Sequence, residues 1–197
     1  MRYDTEHKQK TREKVVHAAA RAIRIDGPER IGVAAVMAEA GLTHGGFYAH
    51  FASKDELVSA AIEHMFEQSR ARVVHETEGR GPVEGLIAYI DFYLSKKHRD
   101  ARGAGCPMAA LSSDLPRLSE SSREQFAAGA RRLTVTLGEK LAALDHVDAE
   151  AAARSMVAEL VGALSLSRVE TDAKRSDAIL SASRHQLKQR FHLEVRA

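Results

Sequence analysis

Val15, Val16, Ala18, Ala19, Ala22 and Ile23 recur at helical spacing until Gly27-Pro28 interrupts them, which predicts a first helix. Residues 1 to 9 ahead of it are polar and are expected to be mobile. Ile31, Val33, Val36, Met37 and Ala40 mark a short second helix, and Gly41 follows where a helix C-terminus favours a residue tolerant of positive φ. Leu42 is expected to be buried in the turn, with Thr43 capping a third short helix. Ser53-Lys54-Asp55-Glu56 has the form of a capping box, Ser53 accepting from the Glu56 amide while Glu56 reaches back to the Ser53 amide. A long fourth helix starts there and carries Leu57, Val58, Ala61, Ile62, Met65, Phe66 and Val73 in one stripe to about residue 76. Glu78-Gly79-Arg80-Gly81-Pro82 breaks it. Further helices are predicted at about 83–98, 107–114, 120–144, 148–169 and 173–192, with Pro107 suited to a first turn and Asp148 and Asp172 as N-caps.

Composition points the same way. Across 197 residues the chain is 44% hydrophobic, has no tryptophan and only four prolines, and is rich in Ala, Leu, Glu, Arg and Lys, so an all-α fold is expected. The three short helices form an N-terminal helix-turn-helix domain, residues 1–53. A C-terminal helical domain, 54–197, follows, and the long helix beginning at Ser53 joins the two. Net charge is only +2, yet residues 1 to 54 hold nine Lys and Arg against six Asp and Glu, which concentrates the positive excess in the first quarter. A single cysteine, Cys106, excludes an intramolecular disulfide and a multi-cysteine zinc site, and suits a reducing compartment. With a charged start and no apolar run near the roughly 18 residues of a membrane span, a cytoplasmic protein with no membrane contact is expected. Neither a phosphate loop behind a strand nor a His-Glu-x-x-His pair occurs, and the ten histidines are scattered, so the expectation is no enzyme, no metal and no cofactor.

A short helix, a glycine-containing turn and a second short helix can present a recognition helix to the DNA major groove, though such pairs also occur in many cores. The residues after the turn sharpen the reading. Gly45 and Gly46 are poor helix formers at an exposed helix start, and close approach of their backbone to a phosphate or a thymine methyl accounts for them. Phe47 and Phe51, four apart, can anchor the helix while Thr43, His44, Tyr48 and His50 stay outside.

From Gly41 through Thr43-His44-Gly45-Gly46-Phe47-Tyr48-Ala49-His50-Phe51 to Lys54-Asp55-Glu56-Leu57 the chain resembles the TetR family of one-component repressors. Val15-Val16-His17-Ala18-Ala19, Gly27 and Val36-Met37-Ala38-Glu39-Ala40 sit at that family's spacing, and the resemblance covers roughly residues 10 to 60. It implies that Thr43 and His44 face DNA, that Gly45 and Gly46 lie against backbone or a base edge, and that Tyr48 gives its hydroxyl to a phosphate. His50 and Lys54 would be further phosphate contacts, Lys54 beside the free amides of a helix N-terminus. These contacts position the protein and carry no sequence information. His44 is either a reader of guanine O6 or N7 or a solvated surface histidine. Val33 departs from the family, standing where many members carry a hydroxyl that touches DNA. Arg2, Lys8, Lys10, Arg12 and Lys14 form either a salt-sensitive DNA-binding arm or a solvated charge run.

A lone helix-turn-helix makes too few contacts, so a homodimer on two half-sites of double-stranded operator DNA is expected. The helices at 148–169 and 173–192 are the candidates, small at Ala151, Ala152, Ser155, Ala158, Gly162, Ala163 and Ser165 and apolar at Leu160, Leu164, Ile179, Leu180, Leu187 and Phe191. The same stripes also fit ordinary core helices. Phe66, Tyr89, Phe92, Tyr93, Met108 and Phe126 are candidates either for plain core or for the lining of a small-molecule effector pocket. Cys106, just before Pro107 at a helix N-cap, is either a reactive sensor of electrophiles or oxidants, favoured by the free amides of the helix start, or a small buried residue. The functional expectation is a DNA-binding repressor released by an effector. A helical interaction adaptor without DNA binding is the alternative.

Overall fold

The computed structural model describes residues 2–193, with side chains from residue 6 onward. The Arg2 side chain and residues 194–197 of the expected second domain lie outside the described residues. In chain order the elements are α1 (Arg2–Asp26), α2 (Val33–Glu39), a 3₁₀ helix at His44–Ala49, α3 (Lys54–Thr77), α4 (Pro82–Tyr93) and α5 (Lys96–Asp100). A 3₁₀ turn at Arg102–Ala104, α6 (Pro107–Leu111), a second 3₁₀ turn at Leu115–Arg117, α7 (Glu120–Ala142), α8 (Ala149–Val169) and α9 (Ala173–Arg190) complete it. Among the described residues there is no strand, and no helix is long and apolar enough to cross a membrane.

The apolar stripe of α3 organises the packing. Leu57, Ala61, Ile62 and Met65 are fully buried, and α1, α4 and α7 all lie against this helix. Each such Leu, Ile or Met contributes about 1.5–3 kcal/mol through burial. At the crossing of α7, Gly129 faces Phe66, and a Cβ added to Gly129 would overlap that ring. Phe126, one turn earlier, meets the same ring edge-on with centroids 5.1 Å apart. Outward from α7 the layers continue through α8 to α9.

Four expectations change. The first helix begins at Arg2, so the segment 1–9 is helical from residue 2 rather than mobile. Glu6 with Lys10 (2.9 Å) and Gln9 with Glu13 (3.0 Å) support it from the solvent face at i,i+4 spacing. The single helix expected at 83–98 is two, because the Ser95 Oγ accepts from the His98 amide (3.1 Å) and starts α5 afresh. The helix expected at 107–114 closes at Leu111. Ser53 does cap α3, accepting from the Glu56 amide (3.1 Å), but the Glu56 carboxylate reaches past Ser53 to the Ala52 amide (2.7 Å).

The N-terminal helices are not isolated from the rest. A Cβ at Gly103 would lie 3.1 Å from Arg21 Cγ and 3.1 Å from Ile25 Cδ1, so the 102–104 turn is pressed onto the end of α1.

Candidate nucleic-acid interface

Helix α2 ends in a Schellman motif: the Leu42 amide donates to the Met37 carbonyl (2.9 Å) and the Gly41 amide to that of Ala38 (3.0 Å). Gly41 takes φ +75, where a side chain would be strained. The turn leads into the 3₁₀ helix, whose first bond runs from the Gly46 amide to the Thr43 carbonyl (3.1 Å). That backbone bond takes the donor a capping hydroxyl would use, and Thr43 makes no side-chain cap. Its hydroxyl stays on the exposed side with His44 and Gly45.

Phe47 and Phe51 are buried to within 2% and stack with centroids 5.7 Å apart. Arg12 of α1 lies 4.7 Å over the Phe51 ring. Tyr48, between the two anchors, is 74% exposed. The glycines behave differently from Gly41. Neither Gly45 nor Gly46 has positive φ. A Cβ at Gly45 would meet nothing within 4 Å, and one at Gly46 would make only ordinary contact with Met37 Cε at 3.7 Å.

Lys54 is half-buried and donates to the Glu29 carbonyl (2.9 Å), which fastens the start of α3 to the turn before α2. His50 is half-buried, with its Nδ1 enclosed and unpartnered. Desolvation first, then the charges of Lys8 and Arg12, hold its pKa below the ordinary histidine value. Lys8 and Arg12 thus stand beside the far end of the 3₁₀ helix, while Lys10 is paired with Glu6. Val33 is half-buried against the core.

Behind these helices a cavity of about 530 Å³ opens between α3, α4 and the segment 98–106. Tyr89, Phe92, Tyr93 and Cys106 line it; Met108 and Phe126 do not. Phe126 is spent on the Phe66 contact, and Met108 is buried on α6. The lining also includes Gln68, Arg72, His75 and His98, which sequence reasoning missed. Gln68, Arg72 and His75 do carry a signal, since four- and three-residue steps put them on one face of α3. His98 carries none. Among the described residues no carboxylate lines this cavity.

Cys106 is 3% exposed and its thiol makes no capping bond to the five-residue α6. Its amide donates to His98 Nε2 (3.1 Å), so the ring proton sits on Nδ1, which donates to the Tyr93 carbonyl (2.7 Å). Accepting from the Cys106 amide needs a neutral imidazole, and burial lowers the His98 pKa to about 4. Among the described residues the Tyr93 hydroxyl has no hydrogen-bond partner, and burial, then Cys106, push its pKa well above the ordinary phenol value.

Residues 15–61 match the family model described as "Bacterial regulatory proteins, tetR family". An uncharacterized HTH-type transcriptional regulator of Mycobacterium tuberculosis (strain CDC 1551 / Oshkosh) is 31% identical over 120 residues, covering 60% of this chain and 59% of that one. The matched segments span about three fifths of the length of such curated relatives. Among solved structures, a TetR transcriptional regulator from Chloroflexus aurantiacus J-10-FL superposes with a TM-score of 0.80 at 25% identity, covering 97% of this chain and 98% of that one. E. coli NemR in its reduced form superposes with a TM-score of 0.80 at 21% identity, covering 91% and 97%, a likeness of fold. With this helix-turn-helix, this match and these neighbours, residues 15–61 are similar to the DNA-binding helices of the tetR family of bacterial regulatory proteins, and the chain shares the fold of solved TetR-family regulators.

Proposed function

We propose that this protein is a transcription repressor that binds a palindromic operator as a homodimer and leaves it when a small molecule occupies the cavity behind the DNA-binding helices. One observation carries the DNA-binding part: Gly45 and Gly46 sit on an exposed recognition helix where the fold itself has no need of glycine. Bare backbone at that point lets the helix approach a phosphate or a base edge more closely than any side chain would allow.

Residues 1–53 form the DNA-binding domain in this reading, and residues 54–197 bind the effector and the second subunit. Thr43 and the Tyr48 hydroxyl donate to phosphates. Lys54 spends one donor on Glu29 and keeps two for the DNA backbone. His50 contributes its remaining ring nitrogen, and a phosphate there favours the imidazolium that Lys8 and Arg12 disfavour. His44 is the side chain that reads bases.

Tyr89, Phe92 and Tyr93 give the effector an apolar bed, and Cys106 offers a thiol to an electrophile. An effector that prefers the dimer geometry with mis-set recognition helices weakens DNA binding, and DNA weakens the effector equally.

Selection of binding sites from a random DNA pool tests the proposal. The expected product is a palindrome with half-sites about one helical turn apart, bound with an affinity that falls steeply as salt is added. Absence of enrichment, with negligible binding at low salt, would overturn it and leave an interaction adaptor. For the effector, complete thiol modification that leaves operator affinity unchanged rules out Cys106 as sensor.

A further inference from the structure

A second cleft, of about 630 Å³, lies on the other side of the 98–106 segment, between the end of α1, α5, α6 and the end of α8. The charged residues lining it are Arg24, Arg99, Arg102, Arg168, Asp100 and Glu170. Both acids are already committed. Asp100 takes a two-point contact from Arg99 (2.7 and 3.3 Å), and Glu170 accepts from Arg175 (3.2 and 3.3 Å) and from the Asp172 amide (2.8 Å). Arg99 is also held by Asp177 (2.8 Å).

That leaves Arg24, Arg102 and Arg168 without an ion pair among the described residues. Arg168 donates only to the carbonyls of Arg99 (3.1 Å) and His98 (3.2 Å). Arg24 is the unusual member. It is 5% exposed, its one side-chain partner is the neutral Gln68 (2.9 Å), and its Nε is buried without any partner. An enclosed guanidinium with no counter-charge is costly to keep, and desolvation lowers its pKa to about 10. Arg102 lies near enough to Arg168 for its charge to act on it. Three cations gathered around one cleft repel one another unless an anion sits among them.

We infer that this cleft is a binding site for a small oxyanion, a carboxylate or a phosphate, held by Arg24, Arg102 and Arg168. The guanidinium fork matches both groups with paired N–H donors. The hydroxyl protons of Ser167 and Ser176, which also line it, are already committed, Ser176 donating to the Ser167 carbonyl (2.6 Å) and Ser167 to that of Leu164 (2.8 Å). The arginines therefore carry the recognition. The volume exceeds that of a bare inorganic ion, which leaves room for an organic body on the anion. The site is separate from the aromatic cavity and uses no residue assigned to DNA, so it stands whether or not the repressor reading does.

Inorganic phosphate and acetate are the probes, each titrated against chloride at matched ionic strength while thermal stability and binding heat are followed. Phosphate also stabilises proteins by exclusion from their surface, but that effect rises without saturating and is the same in every variant. The expected result is a saturable rise in Tm with a measurable heat of binding for phosphate, acetate or both; which one responds identifies the head group. Arg24→Met and Arg168→Met are expected to weaken it by about tenfold or more. Arg102→Met, at an exposed position, tests the same site without disturbing the core. A response that does not saturate, or that is equal in the wild type and in Arg102→Met and whichever of the other variants folds, overturns the inference.

Discussion

A single imidazole shows how closely residue chemistry is tied to this fold. His98 must be neutral to accept from the Cys106 amide while donating to the Tyr93 carbonyl, and burial lowers its pKa from 6.5 to about 4. The unfolded chain takes up this proton near pH 6.5 and the folded one only near pH 4. The unfolded state thus binds more protons throughout that window, and stability falls as pH drops through it. No penalty exists above pH 6.5, and the full penalty below pH 4 is about 3 kcal/mol. Urea melts from pH 7.5 to 4.5 check this. Wild type is expected to lose stability more steeply than His98→Gln, whose amide oxygen still accepts from Cys106 but takes no proton. Equal slopes would mean that His98 is not the titrating group. His50 and His64, both also lowered, act in the same direction in both proteins and cancel. Nothing in the sequence singled out His98 among ten histidines, because its role rests on backbone groups brought to it by a helix break. Tyr89, Phe92, Tyr93 and Cys106 were recognisable as cavity candidates by residue type. Met108 and Phe126 have the same chemistry, and only packing separates them.

At the scale of elements, spacing told most where a helix has one partner face and least where backbone hydrogen bonds choose between alternatives. The stripe of α3 and the Gly41 terminus were readable because periodicity and positive φ leave direct marks. The break at Ser95 was not, since Leu94 and Ser95 continue a helical pattern until the Ser95 hydroxyl captures the His98 amide. Likewise, Thr43 looked like a cap, yet a 3₁₀ turn satisfies the amide first. Two glycine substitutions separate packing from recognition. Gly129→Ala pushes a methyl into Phe66 and is expected to lower stability by about 1–3 kcal/mol, read as a drop in urea midpoint. Gly45→Ala meets open space at negative φ, so stability is expected to stay level or rise by up to about 1 kcal/mol. Operator affinity should nonetheless fall. If Gly45→Ala binds DNA as the wild type does, close backbone approach is not the reason for the glycine.

For the whole molecule, the proposed homodimer needs a surface for the second copy, and a periodic stripe alone does not say which. A small-residue stripe on α8 serves an intrachain neighbour as well as an interchain one. Burial separates the two uses. Ala153, Met156, Leu160, Ala163 and Leu164 are spent on the core, while Leu166 and Val169 stand 61% and 78% exposed. Ala158, Gly162, Leu166 and Val169 follow four- and three-residue steps along one outward face, and Gly162 has nothing within 4 Å of where a Cβ would be. An apolar ridge over an open glycine is shaped for close approach of a second helix. Leu166→Glu places a charge on that ridge without touching the core, so the chain should fold with unchanged melting at high dilution. Light scattering is expected to show one chain where wild type shows two. Operator affinity should fall by about a hundredfold or more, because each half-site then binds alone. A variant that remains dimeric would move the interface elsewhere, whereas a monomer that still holds the full palindrome as tightly would remove the need for dimerisation in DNA recognition.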